Sequence, residues 1–273
     1  MPKINKPEAS DVNVLQVRRG SVEVCILGTT PLIVNRMAQK AINQLLLPSG
    51  RKTAADKANT LKHNPVEEFR NSVHTQQTGP TLLAMPSTAF KSGLSNAAID
   101  IGQGVNKAQM GRLSYVEGDY VSIYGNPLLH MSIVRMADPG RTPDVRTRAI
   151  LPEWACKLTV SFVMPVINAT IIANLLAGAG MMQGIGDFRV QKGKGNYGSF
   201  RLCEPNDPDF VRITSTQARD AQVLAMKEAV TYDQETAELL AWFHSEVRRR
   251  ELKGTDEKAT RSKKADDSQE VEA

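Results

Sequence analysis

The stretch QGIGDFRVQKGKGNYGSFRLC, residues 183–203, decides how the rest of the sequence is interpreted. It combines five glycines with four basic and three aromatic residues. Glycine allows positive φ angles and the close approach of a second backbone. Lys and Arg supply cations that suit phosphate, and aromatic rings offer a stacking face to any base. This composition is typical of a loop that holds a nucleic-acid backbone, although a solvated loop that binds nothing often has it too.

The elements on either side of this stretch show what kind of loop it is. Residues 168–182 are predicted to form an amphipathic helix, with Asn168 as its N-cap. Residues 197–203 have the pattern of a short strand. The dinucleotide fingerprint requires strand, loop and then helix, and the residues around Lys194 lack the Walker A spacing. A helix C-terminus repels phosphate, so any affinity for an anion must come from the loop's own amides and cations.

The segment GIGDFRVQKGKGNYGSF, in this helix-to-strand setting, resembles the glycine-rich loop of the RAMP superfamily. That superfamily comprises RNA-binding subunits of CRISPR effector complexes and their processing endonucleases. The resemblance is strong over about residues 153–203 and weak elsewhere, and the chain also resembles bacteriophage proteins. It implies a modified RNA-recognition-type fold, nucleic-acid binding and oligomerisation along the bound strand. It leaves open whether the protein cuts its ligand.

The remaining elements predict an α+β fold. Strands are expected at 21–28, 120–124, 128–136 and 154–164, and helices at 65–73 and 86–99. In the last of these strands, apolar residues alternate with Lys157, Thr159 and Ser161, which gives the strand one polar face. The order strand, helix, strand, strand, helix, strand is that of a ferredoxin-like βαββαβ antiparallel sheet, here with helical insertions and a C-terminal helical extension.

Changes in composition divide the chain. We predict a flexible N-terminus at 1–17, a RAMP-like ferredoxin-type domain at 18–210 with insertions at 29–81 and 135–150, C-terminal helices at 211–250 and a disordered charged tail at 251–273. Pro139, Gly140 and Pro143 indicate that residues 135–148 form an irregular, arginine-bearing loop. Residues 204–210 are interpreted as a turn-rich connector that precedes two helices.

The composition allows both a packed core and a polyanionic partner. Of the 273 residues, 41% are hydrophobic, and the formal net charge is +5. The sequence lacks an apolar run of about 18 residues, the length that spans a membrane, and it shows no secretory signal. Cys25, Cys156 and Cys203 lie far apart, which argues against a zinc site or a disulfide framework. We therefore expect no cofactor and no metal, and a location in the cytoplasm of a bacterium or of a phage's bacterial host.

The candidate nucleic-acid contacts fall into four groups. They are Gly184, Gly186, Phe188, Arg189, Lys192, Lys194, Gly195, Tyr197 and Arg201 in or just after the loop, Lys107 and Arg112 in a second glycine-containing stretch, Arg135, Arg141, Arg146 and Arg148 in the predicted arginine loop, and Lys157 on the polar strand face. The basic residues are expected to contact phosphate, and Phe188 and Tyr197 to stack on bases. The alternative, that the basic stretches are ordinary solvated loops, stays open.

Three functions are compatible with these patterns. The first is non-catalytic binding of single-stranded nucleic acid, as a homo-oligomer or as a subunit of a nucleoprotein complex. The resemblance favours RNA, whereas the chemistry of the loop allows single-stranded DNA equally. The second is a metal-independent endoribonuclease with His63 or His74 as its base. The third is a phage structural or assembly protein whose loop contacts protein. The first is preferred because the sequence shows no paired histidine motif and no nucleophile elbow.

Overall fold

The computed structural model describes residues 16–37, 39–47, 61–135 and 142–250. Several expectations therefore lie outside the described residues. They concern the N-terminus up to residue 15, the part of the predicted 29–81 insertion that covers residues 48–60, Arg141, and the tail at 251–273.

The larger of two antiparallel sheets contains seven strands. These are β1 (Arg18–Gly28), β3 (His74–Thr75), β4 (Leu83–Pro86), β5 (Ser114–Val116), β6 (Tyr120–Tyr124), β9 (Ala155–Met164) and β10 (Phe200–Cys203). Their order across the sheet is β10-β1-β9-β6-β4-β3, and β5 pairs with the far end of β9. The strands predicted at 21–28, 120–124 and 154–164 are thus confirmed, as is the α+β class.

The smaller sheet has the order β2-β8-β7. Its strands are β2 (Leu32–Val34), β7 (Leu128–Arg135) and β8 (Pro143–Leu151). The prediction of an irregular loop over 135–148 was wrong from Pro143 onward. Pro143 is the first residue of β8 and lies opposite Arg135 at the end of the hairpin, a place where a proline without an N–H is tolerated. Arg135, Arg146 and Arg148 therefore lie on paired strands.

Eight helices accompany the sheets in the described part of the chain. They are α1 (Gln39–Leu46), α2 (Pro65–Asn71), α3 (Ser87–Ile101), α4 (Lys107–Leu113), α5 (Ala169–Gly178), α6 (Pro208–Thr216), α7 (Arg219–Glu228) and α8 (Gln234–Arg250). The connector predicted at 204–210 was wrong at its end, because α6 begins at Pro208. The Asp207 side chain accepts hydrogen bonds from the amides of Asp209 and Phe210, and Pro208 takes the first helical position, where its missing N–H costs nothing.

The main core lies between the larger sheet and the helices α3 and α5. Its fully buried side chains include Ile26 and Val160 from the sheet, Phe90 and Leu94 from α3, and Leu175 from α5. The helix predicted at 86–99 is confirmed as α3, and its residues Phe90, Leu94, Ala97 and Ala98 face the core.

The opposite face of the larger sheet is partly covered as well. Phe210 and Ile213 of α6 pack there on Cys25, Leu27 and Ala155. The polar face of β9, which carries the predicted contact Lys157, is therefore covered at one end by α6. In the described residues no helix is long and apolar enough to span a membrane.

Candidate nucleic-acid interface

The glycine loop, residues 184–199, is fixed at both ends. Asn168 caps α5 as predicted, its side chain accepting a hydrogen bond from the Ile171 amide at 2.9 Å. The helix continues through a π-helical turn at Ala179–Gln183 into the loop. The amides of Asp187 and Gly198 then donate to the carbonyl oxygens of Ile33 and Pro31, each at 2.8 Å. The ends of the loop are thus bonded to the segment that follows β1.

A buried ion pair ties the loop to the smaller sheet. Asp187 accepts hydrogen bonds from the Arg148 guanidinium of β8, from the Asn35 amide group at 2.9 Å and from the Phe188 backbone amide at 2.9 Å. Arg148 also donates to the Ser132 hydroxyl on β7. Burial alone would raise the pKa of Asp187, but Arg148 and the hydrogen bonds outweigh it and lower the pKa below its ordinary value. Asp187 therefore anchors the loop to the smaller sheet.

The projecting half of the loop, residues 188–196, holds an aromatic side chain in a strained conformation. Phe188 has a φ of +52°, which a bulky residue rarely adopts, and 46% of it is exposed. Its ring lies 6.1 Å from that of Tyr197, centroid to centroid. Gly195 closes the loop beneath it, because a Cβ there would lie 1.6 Å from the Phe188 carbonyl oxygen. Strain of this kind persists where the surrounding structure enforces it, and it is frequent at ligand sites.

Three cations accompany the ring pair. The Lys192 and Lys194 side chains are exposed, and no carboxylate in the described part of the chain lies within ion-pair distance of either. Arg189 donates to the Gly186 carbonyl oxygen and to the Gln191 side chain, both at 3.0 Å, so its partners are neutral. The projecting half therefore carries positive charge that the described protein does not neutralise.

The backbone amides at the ends of the loop contribute less than expected. The amides of Gly184, Ile185 and Ser199 donate to protein acceptors, as do those of Asp187 and Gly198. Gly186 is required for packing, since a Cβ there would lie 2.5 Å from the Ile33 carbonyl oxygen. The expectation that the loop's own amides hold an anion is thus wrong at both ends of the loop. The glycines at these ends, including Gly184 and Gly186, instead allow the backbone to pack closely.

Three other predicted contacts are already neutralised. Arg148 is buried against Asp187, with 7% of its side chain exposed. Arg201 donates to Asp207 at 2.8 Å, and Lys157 pairs with Glu23 at 2.7 Å. Arg201 and Lys157 also lie on the side of the larger sheet that α6 covers, opposite the side of α3 and α5. The structure does not bring these three side chains into one surface with Arg189, Lys192 and Lys194.

Four further candidates lie elsewhere. Lys107 and Arg112 belong to α4, which begins with a capping box, so this part of their stretch is helical and not a loop. This helix packs against α3, and neither residue lines the cleft that Arg189 shares with the first turns of α3. Arg135 and Arg146 are exposed on the β7–β8 hairpin.

The histidines proposed for catalysis have contrasting environments. Both ring nitrogens of His63 are engaged, Nδ1 with Glu68 at 2.9 Å and Nε2 with Asp144 at 3.1 Å. These contacts, the Glu68 hydrogen bond first, raise the pKa of His63 despite its burial, and they leave no nitrogen free to take a proton from a substrate. His74 has no hydrogen-bond partner among the described residues, and burial, followed by the charge of Arg36, lowers its pKa. Among those residues no cluster of three or more His, Cys, Asp or Glu side chains suits a metal.

A cleft of about 400 Å³ beside the loop was missed from the sequence. Its walls include Asn35, His74, Thr88, Ser92 and Arg189. Apart from Arg189 and His74, these are common polar residues without a motif, and they come together only through the pairing of the strands. No motif or regular spacing in the sequence indicates that these residues form one site.

No protein-family model matches this chain, and no curated protein matches it significantly.

Proposed function

We propose that this protein binds single-stranded nucleic acid, without cutting it, through the projecting half of the glycine loop. One observation carries the proposal: an exposed Phe188, held at a positive φ angle beside Tyr197, is accompanied by three cations without a carboxylate partner in the described chain. An aromatic side chain in this position offers a stacking face to an unpaired base, and the cations neutralise the phosphates on either side of it.

The unpaired state of the ligand follows from the aromatic rings. In a duplex the faces of the bases are covered by their neighbours, so a ring on a surface loop gains stacking contacts only with a single strand. The same chemistry serves RNA and DNA. We favour RNA because the loop resembles that of the RAMP superfamily.

The strand order supports the ferredoxin-like assignment within this proposal. Strands β10, β1, β9 and β6 are neighbours in that order, with α3 in the chain between β1 and β6, and α5 between β9 and β10. Two interlocked βαβ units of this kind are expected of a ferredoxin-like domain. Membership of the RAMP superfamily, assembly along a strand or within a nucleoprotein complex, and a bacterial cytoplasmic setting are parts of the proposal that rest on the resemblance.

We propose that the protein does not cut its ligand because neither His63 nor His74 has the surroundings of a catalytic base. His63 has carboxylate partners on both ring nitrogens. The carboxylate that lines the same cleft as His74, Asp187, is already bonded to Arg148 and Asn35, so it is not available to His74 as a partner in general acid–base cleavage.

The test is fluorescence anisotropy with labelled single-stranded RNA, single-stranded DNA and duplex DNA. We compare wild type with a variant in which Arg189, Lys192 and Lys194 are all changed to Ala. A charge-matched control carries Lys227→Ala, Arg248→Ala and Arg249→Ala on the C-terminal helices. We expect binding to single strands at low salt that the loop variant loses by at least about tenfold and the control retains, since each lost phosphate contact removes counterion release.

Three results would overturn the proposal. Failure of wild type to bind any single strand at low salt would make the loop a protein-facing feature, as in an assembly protein. Equal losses in the loop variant and the control would show that net charge, and not the loop, binds the strand. Shortened RNA after incubation without metal, lost in His74→Ala, would show an endoribonuclease.

A further inference from the structure

The cleft beside the glycine loop has the dimensions of a ligand site. It lies between the loop, the first turns of α3 and the end of β2, and His74 of β3 forms a further side. Its volume of about 400 Å³ falls within the range of roughly 300–1,000 Å³ that small-molecule sites occupy. Arg189 belongs both to this cleft and to the projecting half of the loop, so the two surfaces are continuous.

The walls of the cleft divide into an apolar and a polar part. Val34, Met85 and Ala89 provide apolar surface. Thr88 and Ser92 lie one helical turn apart on α3, and both are exposed and have no hydrogen-bond partner in the described part of the chain. The wall is thus about equally apolar and polar, so it offers a surface to a planar ring and open polar groups that can orient it.

The charges around the cleft favour an anionic ligand. Asp187 is the carboxylate among the described lining residues, and Arg148 and Asn35 already bond to it. Arg189 has neutral partners. Arg36 lies close enough to His74 to act on it electrostatically. The cleft therefore offers unneutralised positive charge at the loop and a half-buried ring at the opposite side.

His74 is the feature that identifies the planar part of the ligand. Its ring is half-buried, has no hydrogen-bond partner among the described residues, and packs against Tyr120 with centroids 5.6 Å apart and planes inclined by 45°. Tyr120 is itself 48% exposed. The two rings form a second aromatic pair, separate from that of Phe188 and Tyr197.

We propose that the cleft receives one nucleotide of the bound single strand, with its base on the His74 ring and its phosphate at Arg189. The inference rests on the function proposed above and extends it, because it assigns a second stacking position and a path for the strand. The strand passes from the Phe188–Tyr197 pair across Arg189 into the cleft.

The experiment separates base from phosphate. We measure the affinity for labelled oligo(dT) and for a strand of equal length made of abasic deoxyribose phosphates, using wild type, His74→Ala and His74→Phe. The control is Tyr115→Ala, which removes an exposed tyrosine from β5 outside the cleft. His74→Ala loses the stacking contact with one base, so we expect it to bind oligo(dT) at least about fivefold more weakly than wild type does. The abasic strand is expected to bind His74→Ala as well as wild type, and His74→Phe to keep the affinity for oligo(dT).

The possible failures are distinguishable. If His74→Ala binds oligo(dT) like wild type while the loop variant does not, the cleft assignment is wrong and the loop proposal stands. If His74→Ala weakens both strands equally, the side chain supports the fold and does not stack on a base. If wild type binds neither strand at low salt, the proposed function itself fails.

Discussion

The basic residues of the glycine loop differ from those of the neighbouring strands in what they face. Arg148 and Arg201 lie on strands, each beside a carboxylate that an adjoining segment supplies. Lys192 and Lys194 lie in the projecting half of the loop, where no carboxylate of the described residues reaches them. All four side chains are cationic, but the strand residues have their counter-charge within the protein and the loop residues do not.

This difference separates residues that hold the fold from residues that are available to a ligand. A buried cation that pairs within the protein is costly to remove, because its partner is left without compensation. An exposed lysine without a partner contributes little to stability, and its charge attracts a polyanion from solution. Opposite consequences of mutation are therefore expected for the buried Arg148 and for the exposed loop lysines.

The largest effect on stability is expected from Arg148→Met. The substitution keeps most of the side-chain volume but leaves Asp187 without its cationic partner. Breaking a buried pair costs about 3–5 kcal/mol, and the lower value of about 3 kcal/mol applies here because Asp187 keeps 35% of its side chain exposed. Urea unfolding measures the change in the free energy of unfolding. A loss below about 1 kcal/mol would show that the pair does not anchor the loop.

The matched comparison for that variant is Lys192→Met. This side chain is exposed and unpaired among the described residues, so the same chemical change is expected to alter the free energy of unfolding by no more than about 0.5 kcal/mol. Equal destabilisation by the two substitutions would remove the distinction between the groups.

A smaller effect is expected at Phe188, whose φ of +52° favours glycine. Phe188→Gly is expected to be more stable than Phe188→Ala by about 1 kcal/mol, because alanine at a positive φ retains the steric cost of its Cβ. Thermal unfolding of the two variants measures the difference. Both are expected to bind single strands more weakly than wild type, since both lose the ring. The opposite order of stability would show that the backbone here is not strained.

The smallest effect concerns pH. The pKa of Asp187 is lowered in the folded protein relative to its ordinary value of 3.8. Its ionised form therefore stabilises the fold above that pH, and this contribution is lost as the pH falls through the folded pKa. The gap in unfolding free energy between wild type and Arg148→Met is expected to be largest at neutral pH and to narrow below about 3.8. A gap that stays constant on acidification would contradict the assignment.

The sequence allowed the prediction of those features that depend on local patterns. Helix α5 has a capping asparagine and regularly spaced apolar residues, and β9 alternates over its whole length, so both were identified. The position of the glycine loop between a helix and a strand followed from them. Phe188 and Tyr197 were both named as candidates for base stacking, and the structure places their rings 6.1 Å apart.

The remaining features depend on contacts between distant segments. Arg148 was predicted to contact phosphate. Its partner in the folded protein, Asp187, lies 39 residues further along the chain, and no local pattern in the sequence indicates that pairing. Pro143 suggested a loop because its tolerance at the first residue of β8 depends on strand pairing. His74, Thr88 and Arg189 come from three separate elements, and only the pairing of β3 with β4 and the packing of the loop beside α3 bring them together.

The most direct test of the central claim is the salt dependence of single-strand binding in two charge-matched double variants. One carries Lys192→Ala and Lys194→Ala in the loop, and the other carries Lys157→Ala and Arg201→Ala on the larger sheet. Each removes two positive charges. Since each phosphate contact with a single strand contributes about 0.7 to the slope of log K against log salt, the loop variant is expected to lower the magnitude of that slope by about 1.4. The sheet variant is expected to leave the slope unchanged. Equal slopes in the two variants, or a larger change in the sheet variant, would contradict the account.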